Sequence, residues 1–228
     1  MREAVIICNG SFPRKAYPRE LIRRAETIVC CDGALVAYLR SCKAIFGRER
    51  LPDKIVGDMD SISPALKERY RERILQIDEQ DTNDQSKAFH FLMAEYPGVE
   101  AIHILAATGK REAHTLGNLS LLMEYARETG ACGFPSEDAD PQPPFLDMVS
   151  DWSTAFAITD SCSFYAGKGR DISILTPDNS LTIKSKGLEW PLDKVVFDNW
   201  WKATLNRASE DKVELELSHK SLALIILD

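Results

Sequence analysis

No apolar run in this 228-residue chain approaches the roughly 20 residues that cross a bilayer, so a membrane-spanning protein is not expected. The start, Met1-Arg2-Glu3-Ala4, lacks the charged-then-apolar build of a secretory leader, and cytoplasm is the expected location. Positive charge is scarce: 28 Lys and Arg face 35 Asp and Glu, for a net charge of −7. Wrapping nucleic acid needs clustered cations to neutralise phosphates, so that class is excluded, although local basic pockets are not. The six cysteines, Cys8, Cys30, Cys31, Cys42, Cys132 and Cys162, form no Cys-x-x-Cys pair. A zinc site or disulfide framework is therefore not expected, and Cys8, Cys30 and Cys31 fall in apolar runs that read as buried strands with reduced thiols. The Walker A loop, the His-Glu-x-x-His helix and the Gly-x-Gly-x-x-Gly turn are also missing, which removes the P-loop, zincin and dinucleotide fingerprints. No internal repeat is present.

What the chain has is 44% apolar residues, enough for one large or two small globular domains. Up to about Glu128, short β-rich runs alternate with helical stretches, the pattern of an α/β, Rossmann-like parallel sheet covered by helices. The strand candidates are Ala4–Cys8, Thr27–Cys31, Lys54–Val56, Ile74–Ile77 and Ala101–Leu105. Helices are expected over Pro18–Ala25, Ala34–Ser41, Pro64–Tyr70, Asn83–Tyr96 and Glu112–Arg127, with Ser63 as a candidate N-cap before Pro64. In the last of these, Leu116, Leu119, Leu122, Met123 and Ala126 recur at helical spacing and are expected to face the core. Residues 131–153 are rich in Pro and acid and read as a linker or insert. Beyond it, alternating runs over Ala155–Thr159, Ser161–Tyr165, Asp171–Leu175, Leu181–Lys184, Lys212–Leu217 and Leu222–Leu227 predict a small antiparallel β-domain. The expected domains are thus residues 1–130 and 154–228. Gly167-Lys168-Gly169-Arg170, superficially like a phosphate loop, lacks a following helix and reads as a hairpin turn.

In an open α/β sheet, ligands bind beyond the carboxyl ends of the strands, so polar residues that follow each strand should converge. Here those positions are Asn9-Gly10, Asp32-Gly33, Gly57-Asp58-Met59-Asp60-Ser61, Gln80-Asp81-Thr82-Asn83-Asp84 and Gly109-Lys110-Arg111. Asp58 and Asp60, one residue apart on a turn, suit a hard cation such as Mg²⁺, which takes a few carboxylate oxygens plus water and phosphates. A lone Asp-x-Asp is explained equally well as a turn and helix cap. Five acids after three successive strands favour the cation. Lys87, Lys110 and Arg111, with His114 close by, could offset this charge beside a metal-bridged triphosphate. Lys87 could equally pair with Asp84 as a surface contact, and His114 by itself carries little weight.

In order along the chain, Cys31-Asp32-Gly33-Ala34, the Gly57–Ser61 turn, the Gln80–Asp84 segment with Lys87-Ala88, Gly109-Lys110-Arg111 with His114-Thr115 and Asn118, Lys186-Gly187-Leu188-Glu189-Trp190-Pro191-Leu192, and Thr204-Leu205-Asn206 resemble the thiamine pyrophosphokinase family. The resemblance runs through nearly the whole chain except Gly130–Ser153. It implies a homodimer in which an ATP-handling α/β domain joins a β-sandwich, with thiamine bound where two subunits meet. It implies that Asp58, Asp60 and Asp84 are metal-binding and catalytic carboxylates, and that Asn9, Asp32, Lys87, Lys110, Arg111, His114 and Asn118 lie on the nucleotide side. Gln80, Asn83, Trp190, Thr204 and Asn206 would serve thiamine, Trp190 through its ring face and Thr204 with Asn206 through polar edges. An aromatic face suits a planar cation and an amide reads donors and acceptors; without the resemblance, Trp190 would read as a core residue beside Pro191. Trp200-Trp201 reads as β-domain packing, with a place for one ring at the dimer seam as the alternative.

Four positions depart from the family pattern. Ala113 stands where an Asp is common, Asn83 where Thr is more frequent, and Leu205 and Arg207 where Ser and Glu are frequent. The implied reaction has the thiamine hydroxyl attack the β-phosphorus of Mg·ATP, with AMP leaving and Asp84 or Asp60 accepting the proton. Two rivals are a diphosphokinase for another alcohol such as a pterin, and a thiamine- or nucleotide-binding protein whose catalysis is impaired by Ala113.

Overall fold

A computed structural model describes residues 2–228, which form two compact units. The first comprises residues 2–118 with Met148–Asp151. Its sheet contains β1 (Glu3–Ile7), β2 (Thr27–Cys31), β3 (Lys54–Gly57), β4 (Ile74–Gln76) and β5 (Ala101–Leu105), all parallel, in the order β5-β1-β2-β3-β4. Ala4, Val5, Ile6 and Ile7 are fully buried, as are Ile28, Val29 and Cys30 beside them, which is why these runs are continuously apolar rather than alternating. At the edge, β4 is short and only partly covered. Helices α1 (Ala16–Arg24), α2 (Leu35–Phe46), α3 (Pro64–Arg69) and α4 (Asp84–Glu95) connect the strands. The fifth helix, α5 (Glu112–Thr129), gives its first turns to this unit and the remainder to the second.

Helix α2 runs to Phe46 rather than Ser41, because Cys42 and Ile45 continue the buried face set by Leu35 and Tyr38 at helical spacing. Ser63 precedes Pro64 in extended backbone but makes no side-chain cap bond. Along α5, Leu122, Tyr125 and Ala126 are buried, whereas Leu116 is 53% exposed, so the expected apolar face holds only in the later turns.

The second unit comprises Leu119–Asp147 and Trp152–Asp228. Strands β7 (Thr154–Ile158), β9 (Asp171–Leu175), β11 (Ala203–Arg207) and β13 (Ala223–Leu227) pair antiparallel in the order β11-β9-β13-β7. A second antiparallel sheet has the order β10-β12-β8, from β8 (Cys162–Tyr165), β10 (Ile183–Lys186) and β12 (Lys212–Leu217). Ile158, Ile172, Ile174 and Ile225 of the first sheet and Phe164, Ile183, Val213 and Leu215 of the second join one core with Phe197, which makes the unit a β-sandwich.

Strand β6 (Phe145–Val149) lies inside the segment expected to be linker, its apolar run interrupted in sequence by the buried Asp147. Gly167–Arg170 is not a hairpin: the flanking β8 and β9 pair with different strands, so the turn carries the chain from one sheet to the other. Trp200 and Trp201 are not core residues either, being 47% and 50% exposed.

Candidate active site

At the carboxyl ends of β2 and β3 the polypeptide brings three carboxylates together through close backbone packing. A Cβ on Gly57 would stand 3.0 Å from Asp32 Cγ and 3.1 Å from Asp84 Oδ1, so only glycine lets both acids approach the end of β3. Asp32, 2% exposed, accepts hydrogen bonds from the backbone N–H of Gly33 and of Ser61, the latter at 3.3 Å. Asp58 accepts from the Asp60 N–H at 3.0 Å and from Gln80 Nε2 at 3.4 Å. These two bonds hold its carboxyl below the usual carboxylate range. Asp84 has the opposite displacement. Burial, reinforced by the negative charges of Asp32 and Asp58, pushes it up to about 6.

The turn between Asp58 and Asp60 is held by Met59, which takes a left-handed φ of 67° with its side chain fully buried among Leu35, Ile55, Ile62 and Tyr70. Such backbone costs a non-glycine residue about 1–3 kcal/mol, here offset by burial of the thioether chain. Asp60 is left exposed, and Asp81 also points to solvent. Of five acids expected to converge, the structure therefore gathers Asp32, Asp58 and Asp84. Among the described residues, no group of three His, Cys, Asp or Glu is placed to hold an ion by itself. The cluster nevertheless consists of oxygen donors whose three carboxylates outnumber the one cation beside them, Lys87, a setting that suits Mg²⁺ completed by water and phosphates.

Lys87 lies beneath this cluster rather than on the surface. It is 5% exposed, with Nζ 3.9 Å from Asp84 Oδ1, and its charge acts on both Asp84 and Asp58. It does not line the adjoining cavity and serves as an internal counter-ion.

That cavity, of about 420 Å³, is lined by Asn9, Asn83, Asp84, Lys110, Arg111, His114 and Asn118, and by Cys8, Gly10, Cys31, Ser61, Gln85, Ala107, Thr108 and Thr115. Lys110 Nζ donates to Asn9 Oδ1 at 2.9 Å, tying the loop after β5 to the end of β1. Gly10 is required here, because a Cβ would fall 2.3 Å from the Ala106 carbonyl oxygen. Asn83 caps α4 by accepting from the Ser86 N–H at 3.0 Å, a task Thr also performs, and donates to Asn118 Oδ1 at 3.0 Å. Asn118 in turn donates to the Ala107 carbonyl at 2.7 Å. Ala113 and its neighbour Glu112 are both exposed. Gln85, 2% exposed on the buried side of α4, was not foreseen; its polar side chain inside an otherwise apolar helix face was the available signal.

The second unit carries Trp190, Thr204 and Asn206. Asn206, 5% exposed, accepts at Oδ1 from the N–H of Trp190 and of Arg207, and donates from Nδ2 to the Trp190 carbonyl at 2.7 Å. Its acceptor capacity is thus taken up by backbone, and it acts as a clamp that presents the Trp190 ring, 54% exposed. The register of β11 against β9 shifts between Ala203 and Asn206, and Leu205 bulges outward at φ 58°. Such a bulge re-aims side chains, here sending Asn206 inward while Thr204 stays half-buried.

Comparison with known proteins agrees across both units. The family model for the thiamin pyrophosphokinase catalytic domain matches residues 18–132, and that for the thiamin pyrophosphokinase substrate-binding domain matches residues 154–224. Thiamine pyrophosphokinase 1 of Oryza sativa subsp. japonica is 33% identical over 139 residues, covering 54% of this chain and 52% of the rice protein. The match therefore spans about half the length of that relative. Two solved structures share the fold. Thiamine pyrophosphokinase from Bacillus subtilis has TM-score 0.74 and 16% identity, covering 100% of this chain and 99% of its own. The yeast thiamin pyrophosphokinase has TM-score 0.75 and 15% identity, covering 100% and 86%. With matching family models over both its parts, the chain belongs to the thiamin pyrophosphokinase family.

Proposed function

We propose that this protein transfers the pyrophosphoryl group of Mg·ATP to the hydroxyl of thiamine, giving thiamine diphosphate and AMP. The observation that carries the reading is the convergence of Asp32, Asp58 and Asp84 at the end of the parallel sheet, beside a cavity whose basic groups are Lys110 and Arg111. Such a transfer needs positioning and charge neutralisation rather than covalent catalysis. Asp58 and Asp84, joined by Asp60 from the rim of the turn, would hold Mg²⁺, which supplies electrostatic stabilisation of the phosphoryl oxygens.

Lys110, fixed by Asn9, and Arg111 would meet the nucleotide phosphates, with His114 and Asn118 lining the same cavity. Asp32 and Lys87 set the charge beneath the acids, and Gln80 orients Asp58. One carboxylate oxygen of Asp84 would accept the hydroxyl proton. The exposed Trp190 ring suits the flat, cationic acceptor, and Thr204, on the bulged strand, would offer it a hydroxyl. Trp200, Trp201, Val196 and Leu205 leave further apolar surface open on the same unit, which supports a homodimer with the acceptor near the seam. Cytoplasm remains the proposed location.

The test is an incubation of the full chain with Mg·ATP and a panel of alcohols. AMP release with thiamine, absent with a pterin alcohol and lost in Asp58→Asn, supports the reading. Binding of ATP without AMP release, with any alcohol, contradicts it and marks a binding protein.

A further inference from the structure

Two thiols in the cavity wall have no part in the proposed transfer. Strands β1 and β2 pair in parallel with Ala4 opposite Thr27 and Ile7 opposite Cys30. The next matched pair is therefore Cys8 and Cys31, with side chains on the same face and Cα atoms separated by the inter-strand spacing of about 4.8 Å. A disulfide requires Cα atoms roughly 4.4–6.8 Å apart, so the backbone already meets that condition. The two Sγ atoms lie 3.9 Å apart. Both residues line the candidate nucleotide cavity, and Cys8 also directs its thiol toward Gln85 Oε1 at 3.8 Å.

We infer that Cys8 and Cys31 form an oxidisable dithiol, closed to a disulfide by a peroxide, and that its closure disables the nucleotide cavity. One sulfur attacks a peroxide oxygen, breaking the O–O bond to give a sulfenic acid and one water. The other sulfur then attacks the first, forming the S–S bond and expelling a second water. The two thiols lose two electrons and two protons in all, and hydrogen peroxide takes them up as two waters.

Closure requires the sulfurs to approach to about 2.05 Å, and the strand ends must absorb the movement. Those ends hold the site. Asn9, next to Cys8, accepts the Lys110 ammonium, and Asp32, next to Cys31, anchors the acidic cluster. Displacements of about 1 Å at such positions cost as much as 100-fold in a positioned reaction. Because Cys8 and Cys31 are only 6% and 2% exposed, oxidant reaches them through the cavity, and a bound nucleotide shields them.

The gating half of this inference rests on the nucleotide reading, so the test separates the two. The reduced full chain is treated with hydrogen peroxide, with and without Mg·ATP. Peptides are then mapped without reductant, and the affinity for a fluorescent ATP analogue is measured before oxidation, after it, and after dithiothreitol. The expected result is a linked Cys8–Cys31 peptide that forms more slowly under Mg·ATP, with at least about 10-fold weaker analogue binding that dithiothreitol restores. Cys8→Ala should show no peroxide-dependent loss relative to its own reduced affinity. Absence of the linked peptide overturns the dithiol. A linked peptide with unchanged affinity, or an equal peroxide-dependent loss in Cys8→Ala, overturns the gating. Failure of the reduced protein to bind the analogue overturns the nucleotide reading and the gating with it, while the linked peptide still decides the dithiol.

Discussion

The two units build their candidate sites in opposite ways. In the first, charge is pressed together by tight backbone packing: Gly57 admits Asp32 and Asp84, Met59 is buried in a left-handed turn, and Lys87 is sealed beneath the acids. In the second, the key group is an exposed ring, and the buried polar residue, Asn206, is spent on holding its backbone. A site that must stabilise phosphate charge benefits from fixed, partly desolvated groups, whereas one that receives a flat organic acceptor needs an open aromatic face. Substitutions should therefore trade stability against activity in the first unit and leave stability nearly untouched at the ring of the second.

The largest effect is expected from Asp84→Asn, with turnover falling about 10³-fold or more. Stability should move the other way. The folded protein holds this carboxyl at about 6, above its unfolded value of about 3.9, so the folded state binds the proton more tightly. Its contribution to stability falls as pH rises from about 4 to about 6 and stays lost above that. Asp84→Asn removes this penalty. Discounted for a half-open site, the gain is about 1 kcal/mol, read as a melting temperature about 2–4 °C higher at pH 7 without nucleotide and unchanged near pH 3.

Gly10→Ala comes next. A Cβ 2.3 Å from the Ala106 carbonyl oxygen forces backbone apart, and denaturant unfolding should show a loss of about 3 kcal/mol.

Asn206→Ala should cost about 1–3 kcal/mol by leaving the Trp190 backbone groups without partners, and should raise KM for thiamine. Trp190→Ala sharpens the contrast: it raises that KM by about 10-fold while unfolding shifts by less than about 0.5 kcal/mol.

The smallest effect belongs to Asp178, remote in sequence from both sets of site residues. Ser180, Ser221 and His219 donate to it, and they hold its carboxyl well below the usual range. This support is complete above an unfolded pKa of about 3.9 and fades as pH falls toward the lower folded value. Asp178→Asn should therefore lower the unfolding midpoint modestly at pH 7 and by progressively less as pH falls below about 4, which flattens the acid arm of the stability curve.

The parallel sheet was legible because each strand is a continuous apolar run ending in polar residues, as at Ala4–Ile7 before Asn9 and at Ile55–Val56 before Gly57. The same rule located Asp32, Asp58 and Asp84. It could not say that Asp60 faces solvent, because that depends on the φ of Met59, nor that Lys87 is buried, because an i,i+3 pair looks alike on a surface and in an interior. In the second unit, β6 was hidden by Asp147, and β11 by a bulge that breaks its alternation. Trp190 and Asn206 were singled out through resemblance alone. Their division of labour, ring outward and amide clamping backbone, is visible only in three dimensions.

The most direct test of the central claim is the product balance. Phosphorus NMR of the full chain turning over Mg·ATP and thiamine should show AMP and thiamine diphosphate appearing one for one, with neither formed by Asp84→Asn. Formation of ADP with thiamine monophosphate, or undiminished product from Asp84→Asn, would contradict it.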